Sequence, residues 1–555
     1  MIFLREIGNL LRETYSEAER KINMGILWFG GQIYTLETNG SAVEAVFTEG
    51  DTIKAVGTYE FLYHACYKQI EKEINLKGKT ILPGFIDSHM HIIGHGEKLL
   101  RLDLSQMKSA AQVKEALQNR MSNLSEGEWL IGEGWNENQW DDPTIIHKDE
   151  LDEISTDNPV VLTRVCRHAI IVNSKAMKMA NISNQSPDPQ GGIIVRDEKG
   201  DLSGYLLDTA QELVKQAMPS VSQNYLEQVI KIAVDDLLSK GLVGGHSEDL
   251  NYYGGFHKTF HAFTNSIHDK RKFKAHLLVH HEVMGDMVGD NLGYLDGTAY
   301  VELGAVKIFA DGALGGRTAW LRDDYADDAG NKGVAIHDTE KLEAIVQEAR
   351  VHGLPIAVHA IGDHAANEVV SIIKKYPLEN NARDRIIHGQ ILNQHTLDML
   401  SDLPVVVDIQ PSFVTSDFPW VIDRVGEERL ALSYPWKTLL KSNIQCAGGS
   451  DAPIEEVNPL LGIQAAVTRK SSLDGEVYNP EEKLSIFEAV RLYTVGSAYA
   501  IGQETQRGII AEGFKADFTI LEEDIFQTDP EKINEITVAM TVVDGDIAYK
   551  KEPSH

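Results

Sequence analysis

Apolar residues along the chain fall into two textures. From Gly25 to about Lys79, strand-like segments such as ILWFGGQIYTL and AVFTEGDTIKAVG are punctuated by glycine and Asn-Gly, the pattern of short strands in a meander. The same texture returns after Gly508 in GIIAEGFKADFTIL and ITVAMTVVDGDIAYK. Residues 24–80 and 501–555 are therefore expected to meet and build one small β-sandwich. Between them, short apolar runs alternate with helical patterns, the βα repeat of a parallel barrel. Eight runs qualify as barrel strands: TILPGFIDSHMH, GLVGGHSE, KAHLLVHH, AVKIFAD, PIAVHA, RIIHG, VVVDIQ and IQCAGGS. Helical patterns such as NYLEQVIKIAVDDLLSK and DTEKLEAIVQEARVHG precede two of them. The predicted fold class is α/β, a TIM-like (β/α)8 barrel that begins in 81–104 and resumes in 223–500. The intervening 105–222 is too long for one loop and carries its own strand patterns (EWLIGEG, PVVLTRV, AIIVN), so it reads as an inserted α+β subdomain, expected over the barrel mouth. Residues 1–23 have apolar positions at helical spacing, which fits a short amphipathic helix or an N-terminal extension upstream of a start at Met24; both readings stay open.

Charge narrows the classes of partner. With 83 acidic and 52 basic side chains among 555 residues, the formal charge of −31 repels nucleic-acid backbones and anionic membrane surfaces. No apolar run approaches the roughly 20 residues needed to span a bilayer. Cys66, Cys166 and Cys446 are scattered and lack C-x-x-C spacing, which argues against a disulfide framework or a cysteine zinc site and fits a cytoplasmic location. A small-molecule substrate is the expected partner, and a homodimer is the usual expectation for such barrels.

The candidate chemistry lies at the strand ends. His89 and His91 in LPGFIDSHMH are two apart, so both side chains point to one face and can grip one cation. Four more strand ends carry groups of a matching type: Lys307 in VKIFAD, His359 in IAVHAIGD, His388 in RIIHGQ and Asp451 in GGSDAP. All six would project at the C-terminal mouth, where barrel chemistry takes place.

With these residues in place, the sequence resembles the amidohydrolase superfamily, specifically the YtcJ-like or amidohydrolase-3 branch that includes N-substituted formamide deformylases. The resemblance rests on LPGFIDSHMH, GEGWNENQW, VKIFADGALGGRTAWL, AVHAIGD, GSDAPIEEVNPLLGIQAAVTR and GIIAEGFKADFTIL. It implies that His89, His91 and Asp451 bind a buried metal, that His359 and His388 bind a second, and that Lys307 bridges the two. A free ammonium cannot ligate a cation, so bridging requires the lysine to become a carbamate; the alternative is an unmodified Lys307 beside a single metal. Imidazole and oxygen ligands make zinc the default among divalent ions. Such an ion lowers the pKa of its water towards about 7 and so supplies hydroxide at neutral pH. The activity implied is hydrolysis of a C–N bond in an amide, N-acyl, formamide or cyclic amide substrate, with Asp451 as proton shuttle. Ester or lactone hydrolysis, and a non-catalytic regulatory protein on the same fold, are the alternatives.

Further residues are candidates for substrate contact: His168, which stands where family members place such a contact, and Asp311, Arg317 and Trp135. Each has a plainer reading, namely a structural histidine, an Asx turn, a surface ion pair and core packing, the last shared by Trp140. His246, Asp249, His280 and His281 read as supporting or rim residues, and Asp87 as a group that orients His89.

Overall fold

A computed structural model describes residues 24–552 except 123, 141, 165–167, 219 and 220; the N-terminal extension 1–23 lies outside the described residues. Eight strands form the barrel: β1 (Phe85–Met90), β2 (Leu242–Ser247), β3 (Lys274–His280), β4 (Val301–Phe309), β5 (Ile356–Ala360), β6 (Arg385–His388), β7 (Val406–Ile409) and β8 (Gln445–Gly448). They lie side by side in chain order and pair in parallel from β1 through β8. Runs such as Val406–Ile409 are buried at every position, which is why they read as unbroken apolar stretches rather than alternating ones. All eight strands read from the sequence are present.

The seam between β1 and β8 closes differently from the other seven. Instead of a strand ladder, the loop after β8 folds back onto β1: Asp451 N–H donates to His89 O at 2.8 Å and His91 N–H to Ala452 O at 2.8 Å. The Asp87 carboxylate completes the seam by accepting Ser450 N–H at 3.0 Å and His89 N–H at 3.0 Å.

Both chain ends contribute to a second, eight-stranded sheet. Gly25–Tyr34 pairs with Ala42–Glu49 on one side; on the other it pairs first with Ile70–Asn75 and then with Thr80–Pro83. Thr80–Pro83 then runs antiparallel to Phe518–Leu521, which leads to Val538–Val543 and Asp546–Lys550. The change of partner falls at Gly30 and Gly31. Gly30 has φ +78°, and a Cβ on Gly31 would stand 2.1 Å from Lys79 O, so the strand bends where no side chain fits. Trp28, Ile33 and Val46 share one core with Phe518, Ile520 and Val542, so the two chain ends meet as expected, in a single eight-stranded sheet.

By contacts the chain divides into two compact units, one of residues up to Ile92 and from Ala233 onward, the other Ile93–Ile232. Within the second unit Leu102–Asp103 pairs with Leu130–Trp135 at the edge of a six-stranded sheet. Its cores gather around Leu130, Trp135 and Leu162 on one side and Ile170, Val172 and Leu206 on the other. Among the described residues no helix is long and apolar enough to cross a membrane.

The seam yields a prediction. A Cβ on Gly449 would lie 2.6 Å from His89 N and 2.8 Å from Asp87 Oδ1, both fixed groups. Gly449→Ala is expected to destabilise the fold by about 1–3 kcal/mol through overpacking, seen as a lower thermal midpoint than that of the unmodified chain.

Candidate metal centre

Six side chains converge at the C-terminal end of the barrel. β1 presents His89 and the adjoining His91, β4 Lys307, β5 His359, β6 His388, and the loop after β8 Asp451. Asp451 Oδ1 lies 3.4 Å from both His89 Nε2 and His91 Nε2, and Lys307 Nζ is 3.3 Å from His89 Nε2. The His388 ring stands 5.7 Å from that of His89 and 4.5 Å from that of His359. Two of the six adopt left-handed backbone, Asp451 at φ 57° and His388 at φ 76°, a conformation uncommon outside glycine that concentrates at functional sites. The seam hydrogen bonds hold Asp451 in it.

Neighbouring groups decide which nitrogen each ring leaves free. His91 Nδ1 faces Glu248 O at 2.6 Å and so carries a proton, which turns Nε2 towards Asp451. His388 Nδ1 donates in the same way to Gln410 Oε1 at 2.7 Å. His359 turns the other way round: Nε2 faces Gly312 O at 3.2 Å and Asp311 Oδ1 at 3.6 Å, leaving Nδ1. A hydrogen bond on the far nitrogen is the usual way a ligating imidazole is fixed in orientation and tautomer.

Burial sets the protonation of the group. It holds His89 and His359 well below the usual imidazole range, helped by the charges of Lys307 and the other rings, and brings His388 down to about 4. These rings are neutral at physiological pH, the form that donates a lone pair to a cation. Burial opposes the proton on His91 too, but the hydrogen bond and charge of Asp451 outweigh it and raise the ring to about 9. On Asp451, burial pushes up while His91, His388 and Lys307 pull down, and the net is a carboxylate below its usual range. Lys307 is lowered by burial, with Glu248 and Asp451 opposing.

This donor set fits a divalent ion. Ligand atoms of His89, His91 and Asp451 lie within 4.8 Å of one another, the one such group of three among the described residues. A cation there would displace the proton that His91 and Asp451 share. Nitrogen and oxygen donors without thiolate suit zinc and its first-row neighbours.

The other candidates have different settings. Asp311 is buried and accepts N–H groups from Trp320 (2.8 Å), Ile361 (3.0 Å) and Gly362 (2.8 Å), so it pins two loops behind His359; burial raises it to about 7. Arg317 makes a two-point contact with Asp327, at 3.1 and 2.8 Å. In the second unit His168 is exposed, its Nδ1 3.1 Å from Asp208. Trp135 is 0% exposed in the core of that unit and its Nε1–H donates to Leu162 O, the setting of the core-packing reading. Trp140 packs against it. Asp87 serves the seam.

Glu248 and Gln410 escaped the sequence reading although each stands just beyond a barrel strand, the one signal that would have pointed to them. The buried pair of Arg385 and Asp408 was missed as well. Arg385 Nε donates to Asp408 Oδ2 at 2.7 Å and Nη2 to Ser88 O at 2.5 Å, directly below His89 in the chain.

Comparison with known proteins agrees with this arrangement. The family model described as the amidohydrolase family matches residues 72–549. Bacillus subtilis (strain 168) YtcJ, named as an amidohydrolase, is 48% identical over 531 residues, covering 95% of this chain and all of that one. An N-substituted formamide deformylase from Arthrobacter pascens is 24% identical over 553 residues, covering 95% and 99%. The crystal structure of an uncharacterised metal-dependent hydrolase from Pyrococcus horikoshii OT3 superposes with a TM-score of 0.75 at 27% identity, covering 91% of this chain and 99% of that one. A match over most of the length, on a barrel that gathers its histidines, lysine and aspartate at one mouth, places this chain in the amidohydrolase family.

Proposed function

We propose that this protein is a metal-dependent hydrolase of small molecules that cleaves the C–N bond of an amide, N-acyl, formamide or cyclic amide substrate. The observation that carries the reading is the convergence of His89, His91 and Asp451 on one point, with His359, His388 and Lys307 beside them. In this reading the first three hold one divalent ion, zinc by donor chemistry, and His359 and His388 hold a second. Bound there, a divalent ion acidifies water and polarises a carbonyl. The metal-dependent hydrolase from P. horikoshii and the formamide deformylase support the reaction type and the substrate class respectively.

Asp451 is the group placed to move the proton. It is held as a carboxylate by its neighbours, so it can accept a proton from the attacking water and return it to the departing nitrogen. Lys307 is the group placed to bridge. Burial weakens its hold on a proton, so its neutral amine is more available to attack carbon dioxide; an N–C bond forms, one proton leaves, and a carbamate with two oxygens results. A hydrolysis screen on metal-defined protein, with N-formyl, N-acyl and cyclic amides beside matched esters, tests the substrate class. Faster turnover of the esters throughout would defeat the C–N assignment.

Metal analysis of the purified chain is expected to find one to two divalent ions, with His89→Ala or His91→Ala losing most of the buried one. Full activity after chelation would refute metal dependence. Asp451→Asn preserves shape but removes the proton acceptor, and kcat is expected to fall by at least roughly a hundredfold. Metal content and Tm measured on the same preparation distinguish this from misfolding; a stable, metal-replete variant with near-normal kcat would contradict the role. Lys307→Ala is expected to lose the two-metal centre, with partial recovery when short carboxylic acids supply the missing oxygens. Unchanged two-metal occupancy in that variant would exclude bridging.

A further inference from the structure

Beneath the metal centre the barrel interior departs from the layers of branched apolar side chains that usually fill such a barrel. β2 contributes His246, β3 His276, β4 Glu302, β6 Arg385 and β7 Asp408, and all but Glu302 are buried. Several of their polar atoms make no hydrogen bond: both ring nitrogens of His246, Nε2 of His276, Nη1 of Arg385 and Oδ1 of Asp408. A buried polar atom without a partner is costly, and native proteins rarely leave several together.

These groups have little left to offer one another. His276 Nδ1 is taken by Glu302 at 2.9 Å, and Glu302 also receives Gln503 Nε2 at 3.0 Å. The Ser88 carbonyl, which faces His246, also receives Arg385 Nη2, and the Ser88 side chain lies against Asp408. The His246 and His276 rings stand 5.0 Å apart at a tilt of 58°, adjacent but not bonded. Space has been kept for them: a Cβ on Gly304 would lie 2.4 Å from His276 Nε2. A cavity of about 30 Å³, lined by His246, His276, Glu302, Lys274, Gln503 and Arg507, adjoins the two rings. That is room for one or two waters, in a setting with the several polar partners a buried water needs. Above it Arg385 links the levels, its charge acting on His246 and Tyr294 below and on His89 and Lys307 above.

We propose that this interior is a water-binding chamber, in which one or two ordered waters bridge the free nitrogens of His246 and His276 beside Glu302. The side chain of Glu302 is 25% exposed, so the lower end of the chamber meets bulk solvent.

A crystal structure of the full chain at a resolution that shows ordered water tests the chamber independently of any activity. One or two waters beside Glu302, bonded to the free atoms of His246 and His276, are the expected result. A dry cavity between the two rings would overturn the chamber. In solution, oxygen-17 magnetic relaxation dispersion counts long-lived internal waters. His246→Phe keeps a planar ring and removes both nitrogens, and it is expected to lose at least one such water; an unchanged count in the folded variant would overturn the assignment. Should that variant fail to fold, the unmodified protein's crystal structure decides alone.

Discussion

The backbone exchange between β1 and the loop after β8 is the constraint on which the site depends. The same two residues that close the barrel, His89 through its carbonyl and Asp451 through its N–H, also supply side chains to the candidate metal centre. Closure and ligand geometry are thus one event. Any shift that opened the seam would separate Asp451 from the two histidines before it disturbed the remaining ladder. Asp87 reinforces this by binding backbone N–H groups on both sides of the seam, which explains an ionisable group buried where it can reach no cation of its own.

Electrostatics follows from the same enclosure. Four imidazoles and a lysine packed together would repel one another if all were protonated, and burial removes most of that charge. The ring that stays protonated is His91, held by the Asp451 carboxylate, so the apoprotein already sets a positive group against a negative one where the proposed ion would sit. The Arg385–Asp408 pair below is a buried salt bridge, a poor source of net stability but a firm way to fix direction. Its contact with Ser88 O fixes the residue that precedes His89.

Much of this was legible in the sequence because barrel strands are buried on both faces. Unbroken runs such as VVVDIQ can be found by eye, and once found they fix which residues stand at strand ends. His388 was visible for that reason although nothing near it in the chain spells a motif, whereas His359 also stands in AVHAIGD. Residues whose partners are distant in sequence were invisible. Glu248 orients His91 across 157 positions, and no local pattern records that. Trp135 left two readings open, since an aromatic in a polar motif can bind substrate or pack; its ring lies against Leu162 and Tyr205 in the core of its unit. The edge strand Leu102–Asp103 is only two residues long and carries no readable periodicity.

The bent sheet shared by the two chain ends bears on how the molecule is made. Thr80–Pro83 finds its partner in Phe518–Leu521, and Phe85 N–H is received by Thr519 Oγ1 across 434 positions. At synthesis rates of about 5–20 residues per second, the early half of that sheet waits roughly 20–90 s for the other half to emerge from the ribosome. During that interval the edge of Thr80–Pro83 is an unpaired β-template next to the strand bearing His89 and His91. The sheet of the two chain ends is therefore completed only near the end of translation, and it is in that window that a chaperone able to cover a strand edge would matter most.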